Sequence, residues 1–167
     1  MATKTECGCA LVALRALARL EQLEGTAVSL GMSLEVAERA EADCLTVLHC
    51  ERCRQRRFAL ISATALSASV VDWLQRSWQL DSSVPERLPA HISLGDYQLE
   101  AADAEALSRE LMALRLSYLS KVMGSLKAAI TTLGAAQAEI CLDVVHAKLQ
   151  QLRDCTQAVK ARLAAAE

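Results

Sequence analysis

The chain has 167 residues, a formal net charge of −2, and 53% hydrophobic but only 3% aromatic residues. That length fits one domain burying roughly two-thirds of the surface its unfolded chain exposes. The near-neutral charge excludes a general attraction to nucleic acid, which depends on many Lys and Arg contacts to phosphate.

Ala and Leu carry the apolar content, a helix-former's composition. Residues 1–6 run straight into an amphipathic pattern with no secretory apolar segment. From Cys9 to about Glu24, the spacing of Leu11, Leu14, Leu17 and Ala18 predicts a first helix that ends at Gly25-Thr26. A second is expected from Ser33, as N-cap, through Val36, Ala40, Cys44, Val47 and Leu48. The third segment, Arg57 to about Leu80, is apolar nearly all round, which places it in the middle of a bundle.

Residues 81–98 hold both prolines, Pro85 and Pro89, and Gly95, and form the expected internal loop. Ile92-Ser93-Leu94 is a candidate extended piece within it. Two long helices follow. The first carries the stripe Leu107, Leu111, Leu114, Tyr118, Val122, Leu126, Ile130 and Leu133, and breaks at Gly134. The second carries Leu142, Val145, Leu149, Leu152, Thr156, Val159 and Leu163. A short link between such stripes favours an antiparallel pair, and the last stripe also suits a homodimer seam. The expected fold is therefore an all-α bundle of about five helices, spanning residues 1–167 as one domain, with two long antiparallel C-terminal helices. No apolar run approaches the roughly 20 residues that span a bilayer, so no membrane contact is expected.

Seven cysteines, an odd number, are scattered through helix-like sequence. That pattern points to reduced thiols in the cytoplasm or nucleus of a protein that is not secreted. Cys50-Glu51-Arg52-Cys53-Arg54-Gln55-Arg56-Arg57 reads like the start of a binuclear zinc-cluster DNA-binding module, which needs six thiolates in two C-x2-C-x6-C runs. The third ligand would fall at position 60, which is Leu60, and the next cysteine is Cys141. This chain is thus expected not to bind DNA directly. Cys7, Cys9, Cys50 and Cys53 would form a four-thiolate zinc site if the first helix packed beside the end of the second. Cys7-x-Cys9 matches zinc-knuckle geometry poorly, however, and the expectation is small buried thiols, with no metal and no cofactor.

Arg52, Arg54, Arg56 and Arg57 form the strongest basic run, and a run of this length reads as solvated surface. Asp72 sits beside Trp73 in the most apolar helix, where a carboxylate must reach water, find a partner or carry a raised pKa. It is a candidate general acid, and an ion pair with a nearby arginine is the structural alternative. His49, Tyr97 and Tyr118 are further candidate hydrogen-bond donors. His91 lies in the loop, and His49, His91 and His146 show no metal spacing. Phe58, Ile61, Trp73, Trp78, Tyr97 and Tyr118 are candidate lining for a ligand pocket, with plain packing as the default for each. No hydrolase elbow, phosphate loop or dinucleotide fingerprint occurs.

Three motifs in order carry a resemblance. They are Cys7-Gly8-Cys9 before a Leu-rich helix, Leu48-His49-Cys50-Glu51-Arg52-Cys53 leading to the helix of Trp73, and Ile92 through Glu100 before an acid-rich helix start. Over about residues 7–130 the chain resembles the C-terminal regulatory domain of the aflatoxin regulatory protein family, fungal zinc-cluster activators of secondary-metabolite gene clusters. The resemblance implies a fungal natural-product pathway. In a complete member it also implies a DNA-binding half, which is not found here. Met1 directly before the first motif suits a stand-alone protein. Such a protein is expected to bind a hydrophobic biosynthetic intermediate and to catalyse a cofactor-free cyclisation, of cycloaddition or isomerisation type, by positioning and water exclusion. The alternative is an excised regulatory domain of a pathway-specific activator, which dimerises, binds a co-activator or senses a metabolite.

Overall fold

The computed structural model describes residues 7–80, 91–134 and 138–164. Among these, five α-helices and one two-stranded hairpin form an all-α bundle. Helix α1, Cys9–Gln22, buries Ala10, Ala13 and Leu20, with Leu17 half-buried, on one three-four stripe. Its last turn tightens as the Leu23 and Glu24 N–H groups donate to the carbonyls of Leu20 and Glu21.

Helix α2, Leu30–His49, starts one turn earlier than expected. Ser29 is its N-cap, with Oγ accepting from the Met32 N–H at 3.2 Å. Ser33 instead stands fully buried within the helix, where Trp78 Nε1 donates to its Oγ at 2.9 Å. The core face of α2 then runs Ala37, Ala40, Cys44 and Val47.

A 3₁₀ turn, Cys53–Gln55, leads into α3, Arg57–Trp78. Thirteen of its twenty-two residues are buried, from Ala59 to Trp78, and it packs against all four other helices. A helix apolar nearly all round needs that central place, since each large side chain taken from water contributes roughly 1.5–3 kcal/mol. Contrary to the sequence expectation, α3 is long and apolar enough to cross a membrane, at a mean hydropathy of 1.3, yet 67% of that window is buried inside the fold. It ends where Gln79 turns left-handed, at φ 43 and ψ 46.

Of the expected loop, residues 81–90 lie outside the described residues. The remainder makes a hairpin, with β1, Ser93–Leu94, antiparallel to β2, Tyr97–Gln98, turning at Gly95 with φ +62.

Helices α4, Ala101–Thr132, and α5, Ala138–Ala164, pack along each other. Ala113 in the middle of α4 and Gln157 of α5 line one cleft and lie equally far from the link that joins the two helices, so the pair is antiparallel. The buried face of α4 differs from the expected stripe in its first half. Ser108, Met112, Leu116 and Leu119 face the core, while Leu114 and Tyr118 are exposed. From Val122 through Leu126 to Ile130 the expected face holds. A Leu-rich helix carries two overlapping three-four registers, and the small Ala104 and Ser108 let the neighbouring helices approach the one now buried. On α5, Val145, Leu152 and Val159 are buried as expected, joined by Cys155, and the side chain of Leu163 lies outside the described ones.

Candidate functional site

Two places on the molecule gather chemistry, and both depend on how α1 lies against α2. The short link 23–29 returns the chain so that the start of α1 meets the end of α2. Cys7 precedes α1, Cys9 opens it, Cys50 caps the C-terminus of α2, and Cys53 opens the 3₁₀ turn. This packing is the condition for thiol convergence, and the four Sγ atoms lie within 4.8 Å of one another. Cys7 Sγ is 2.9 Å from Cys9 Sγ and 3.4 Å from Cys50 Sγ.

The expected scatter of small buried thiols fits Cys44 and Cys155 but not this corner, where only Cys53 is buried and the other three are half-exposed. The turn that brings Cys50 and Cys53 together is held by Arg54 N–H to Cys50 carbonyl at 3.0 Å and Arg56 N–H to Cys53 carbonyl at 2.9 Å. Cys7 is the thiol that this corner makes more acidic. Hydrogen bonds from the Cys9 thiol, the Cys9 backbone N–H and then the Cys50 and Cys53 thiols bring it down to about 6. The hydrogen bond shared with Cys7, together with desolvation, pushes Cys9 up to about 11, and burial pushes the Cys53 thiol up as well. Four thiols at one point are the donor set of a soft, tetrahedral metal ion.

The second place is a groove of about 270 Å³ between α1 and α2, backed by Leu66 and Val70 of α3. Ala16, Leu20 and Leu23 form one wall, and Val36 and Ala40 the other. Arg19, Gln22, Glu35 and Arg39 stand at its mouth. Half-buried Asp43 lies near this rim, its carboxyl raised by desolvation that outweighs the pull of Arg19 and Arg39. Helical periodicity puts Leu20, Val36 and Ala40 on helix faces but does not reveal a groove. The signal for it in the sequence is the pair of alanines, Ala16 and Ala40, where larger side chains would close the gap.

The residues singled out from sequence lie apart. Asp72 is engaged by α5: Lys148 Nζ donates to its Oδ1 at 2.5 Å and Gln151 Nε2 at 3.0 Å, so its ion-pair partner is a lysine rather than a neighbouring arginine. His49 lines a different cleft, of about 630 Å³, with Leu48, Arg54, Ala129 and Leu133. Tyr97 is 63% exposed on the hairpin. Tyr118 lies on the outer face of α4, between the cations of Arg115 and Lys121 at 5.6 and 5.0 Å from its ring centroid. Phe58 and Ile61 are exposed, while Trp73 and Trp78 are core residues. Arg52, Arg54, Arg56 and Arg57 all stand exposed.

Comparison with family models, with curated proteins and with solved structures finds no match.

Proposed function

We propose that this chain is a helical ligand-binding domain of regulatory type from a fungal natural-product pathway, and that it holds a small apolar molecule between α1 and α2. The groove carries this reading. Its walls and floor are aliphatic and its mouth is polar, the division by which binding sites take an apolar body and orient one oxygen. At about 270 Å³ it sits at the lower edge of the roughly 300–1,000 Å³ typical of ligand sites, so the fitting occupant is compact. The hydroxyl or carbonyl of such a molecule meets Arg19 or Arg39 at the rim. The three motifs that resemble the regulatory domains of fungal activators favour metabolite sensing. Seven free thiols favour a reducing compartment, cytoplasmic or nuclear.

Binding is favoured over cyclisation by what surrounds the groove. The Asp72 carboxylate is committed to Lys148 and Gln151, and His49, Tyr97 and Tyr118 stand elsewhere on the fold.

The test is calorimetric titration of the purified chain with compact apolar carbonyl and hydroxyl compounds, alongside a Val36→Trp variant that fills the groove. Saturable binding that the variant loses, with helical circular dichroism unchanged, supports the reading. No binding, or binding that survives Val36→Trp, ends it.

A further inference from the structure

We propose that Cys7, Cys9, Cys50 and Cys53 form a closed four-thiolate site for one Zn²⁺ ion, which staples the start of α1 to the corner between α2 and α3. The inference concerns a site separate from the α1–α2 groove and stands whether or not a ligand binds there.

Geometry carries it. Zinc–thiolate bonds are about 2.3 Å long, so two sulfurs on one ion lie at most about 4.6 Å apart, and about 3.8 Å in a regular tetrahedron. The four Sγ atoms here fall within 4.8 Å of one another, which leaves room for a single ion at their centre and for small inward shifts of the side chains. They come from two chain segments more than forty positions apart. Cys50 and Cys53 supply the C-x2-C turn that structural zinc sites use repeatedly. Cys7 and Cys9 supply a tighter pair, made possible because Cys9 begins a helix and Cys7 precedes it in a non-helical segment.

The charge balance agrees. Binding sends the thiol protons to solvent and leaves Zn²⁺ with four thiolates, a net charge of 2−. The N-terminal end of α1, whose first N–H groups lack helical acceptors, lies at Cys9 and carries partial positive charge. Arg52, Arg54, Arg56 and Arg57 sit beside Cys53 in the chain, so the basic run that reads as plain surface also offsets this charge. Four protein ligands fill the tetrahedron and leave no open position for substrate, so the role is structural. Cys44, Cys141 and Cys155 lie outside the cluster.

The experiment uses the full chain, purified under reducing conditions from zinc-supplemented medium. Elemental analysis is expected to give one zinc per chain. Exchange for Co²⁺ is expected to give the intense thiolate charge-transfer and visible bands of a tetrahedral sulfur site. A Cys50→Ser/Cys53→Ser variant loses both signals, and Cys141→Ser keeps both. Should the double variant not fold, Co²⁺ titration of the chelator-treated wild-type chain decides: saturation at one equivalent with the tetrahedral bands supports the site. A folded chain free of metal that gives no cobalt bands overturns it. Iron in place of zinc, or a disulfide among the four cysteines in reductant, does so equally.

Discussion

Trp78 Nε1 donates a 2.9 Å hydrogen bond to Ser33 Oγ across the α2–α3 contact, with both residues buried. Ser33 Oγ in turn donates to the Ser29 carbonyl at 3.0 Å, so one hydroxyl joins the N-cap of α2 to the last turn of α3. Removing the hydroxyl leaves a buried indole N–H without an acceptor, which costs about 1–3 kcal/mol. Ser33→Ala is therefore expected to lower the unfolding free energy by that amount, read as a lower urea midpoint with the slope unchanged. An unchanged midpoint would mean that Trp78 finds another acceptor.

The link between α3 and α5 is electrostatic as well as apolar. Lys148 and Gln151 both reach Asp72, whose side chain is 35% exposed against 18% for Lys148. Partial exposure screens the pair, and its coupling is expected to be about 0.5–1 kcal/mol. A double-mutant cycle of Asp72→Asn and Lys148→Met measures it directly, and should shrink in high salt. Coupling near zero at low salt would make the contact geometric only.

The sequence shows the bundle better than the sites, for a physical reason. Helix α3 announces its central place because its apolar residues run nearly all round it, and thirteen of its positions are buried. Periodicity fixes a helix but not which of two adjacent stripes turns inward, hence the exposed Leu114 and Tyr118 on α4. Likewise Ser29 and Ser33 are both good capping residues, and only Trp78, forty-five positions downstream, decides that Ser33 goes to the core. The cysteine corner is a tertiary property. Local spacing in Cys7-x-Cys9 argues against a shared site, whereas the return of the chain through residues 23–29 creates it.

Cys44 gives a pH signature. It is buried against Ser67, Oγ to Sγ 3.1 Å, and desolvation pushes its thiol up to about 11 from an ordinary 9.0. The folded state holds this proton more tightly than the unfolded chain does. The stability it contributes is thus complete below about pH 9 and is lost as pH rises towards about 11. Two pKa units correspond to about 2–3 kcal/mol. Denaturant midpoints measured across that range should fall more steeply for the wild type than for Cys44→Ala. Parallel curves would show the thiol to be hydrated. Cys44 is also expected to resist alkylation at neutral pH in the folded chain, since the thiolate is the reactive form.

Thr64 sits in the middle of α3, 4% exposed, and its hydroxyl is the one buried side-chain polar atom without a partner among the described residues. It has lost its hydrogen bonds to water and gained none, whereas Ser62 on the same helix donates to the Phe58 carbonyl at 2.9 Å. Valine has the same branched shape and asks for no partner, so Thr64→Val relieves the desolvation cost without opening a cavity. The variant is expected to be more stable by about 1 kcal/mol, which for a chain of this size raises the melting temperature by roughly 2–4 °C. Thr64→Ser keeps the hydroxyl and deletes a methyl from the core, and should be less stable than either. If Thr64→Val instead lowers the melting temperature, the hydroxyl has a partner, and a buried water bridging it to the α3 backbone becomes the structure to look for.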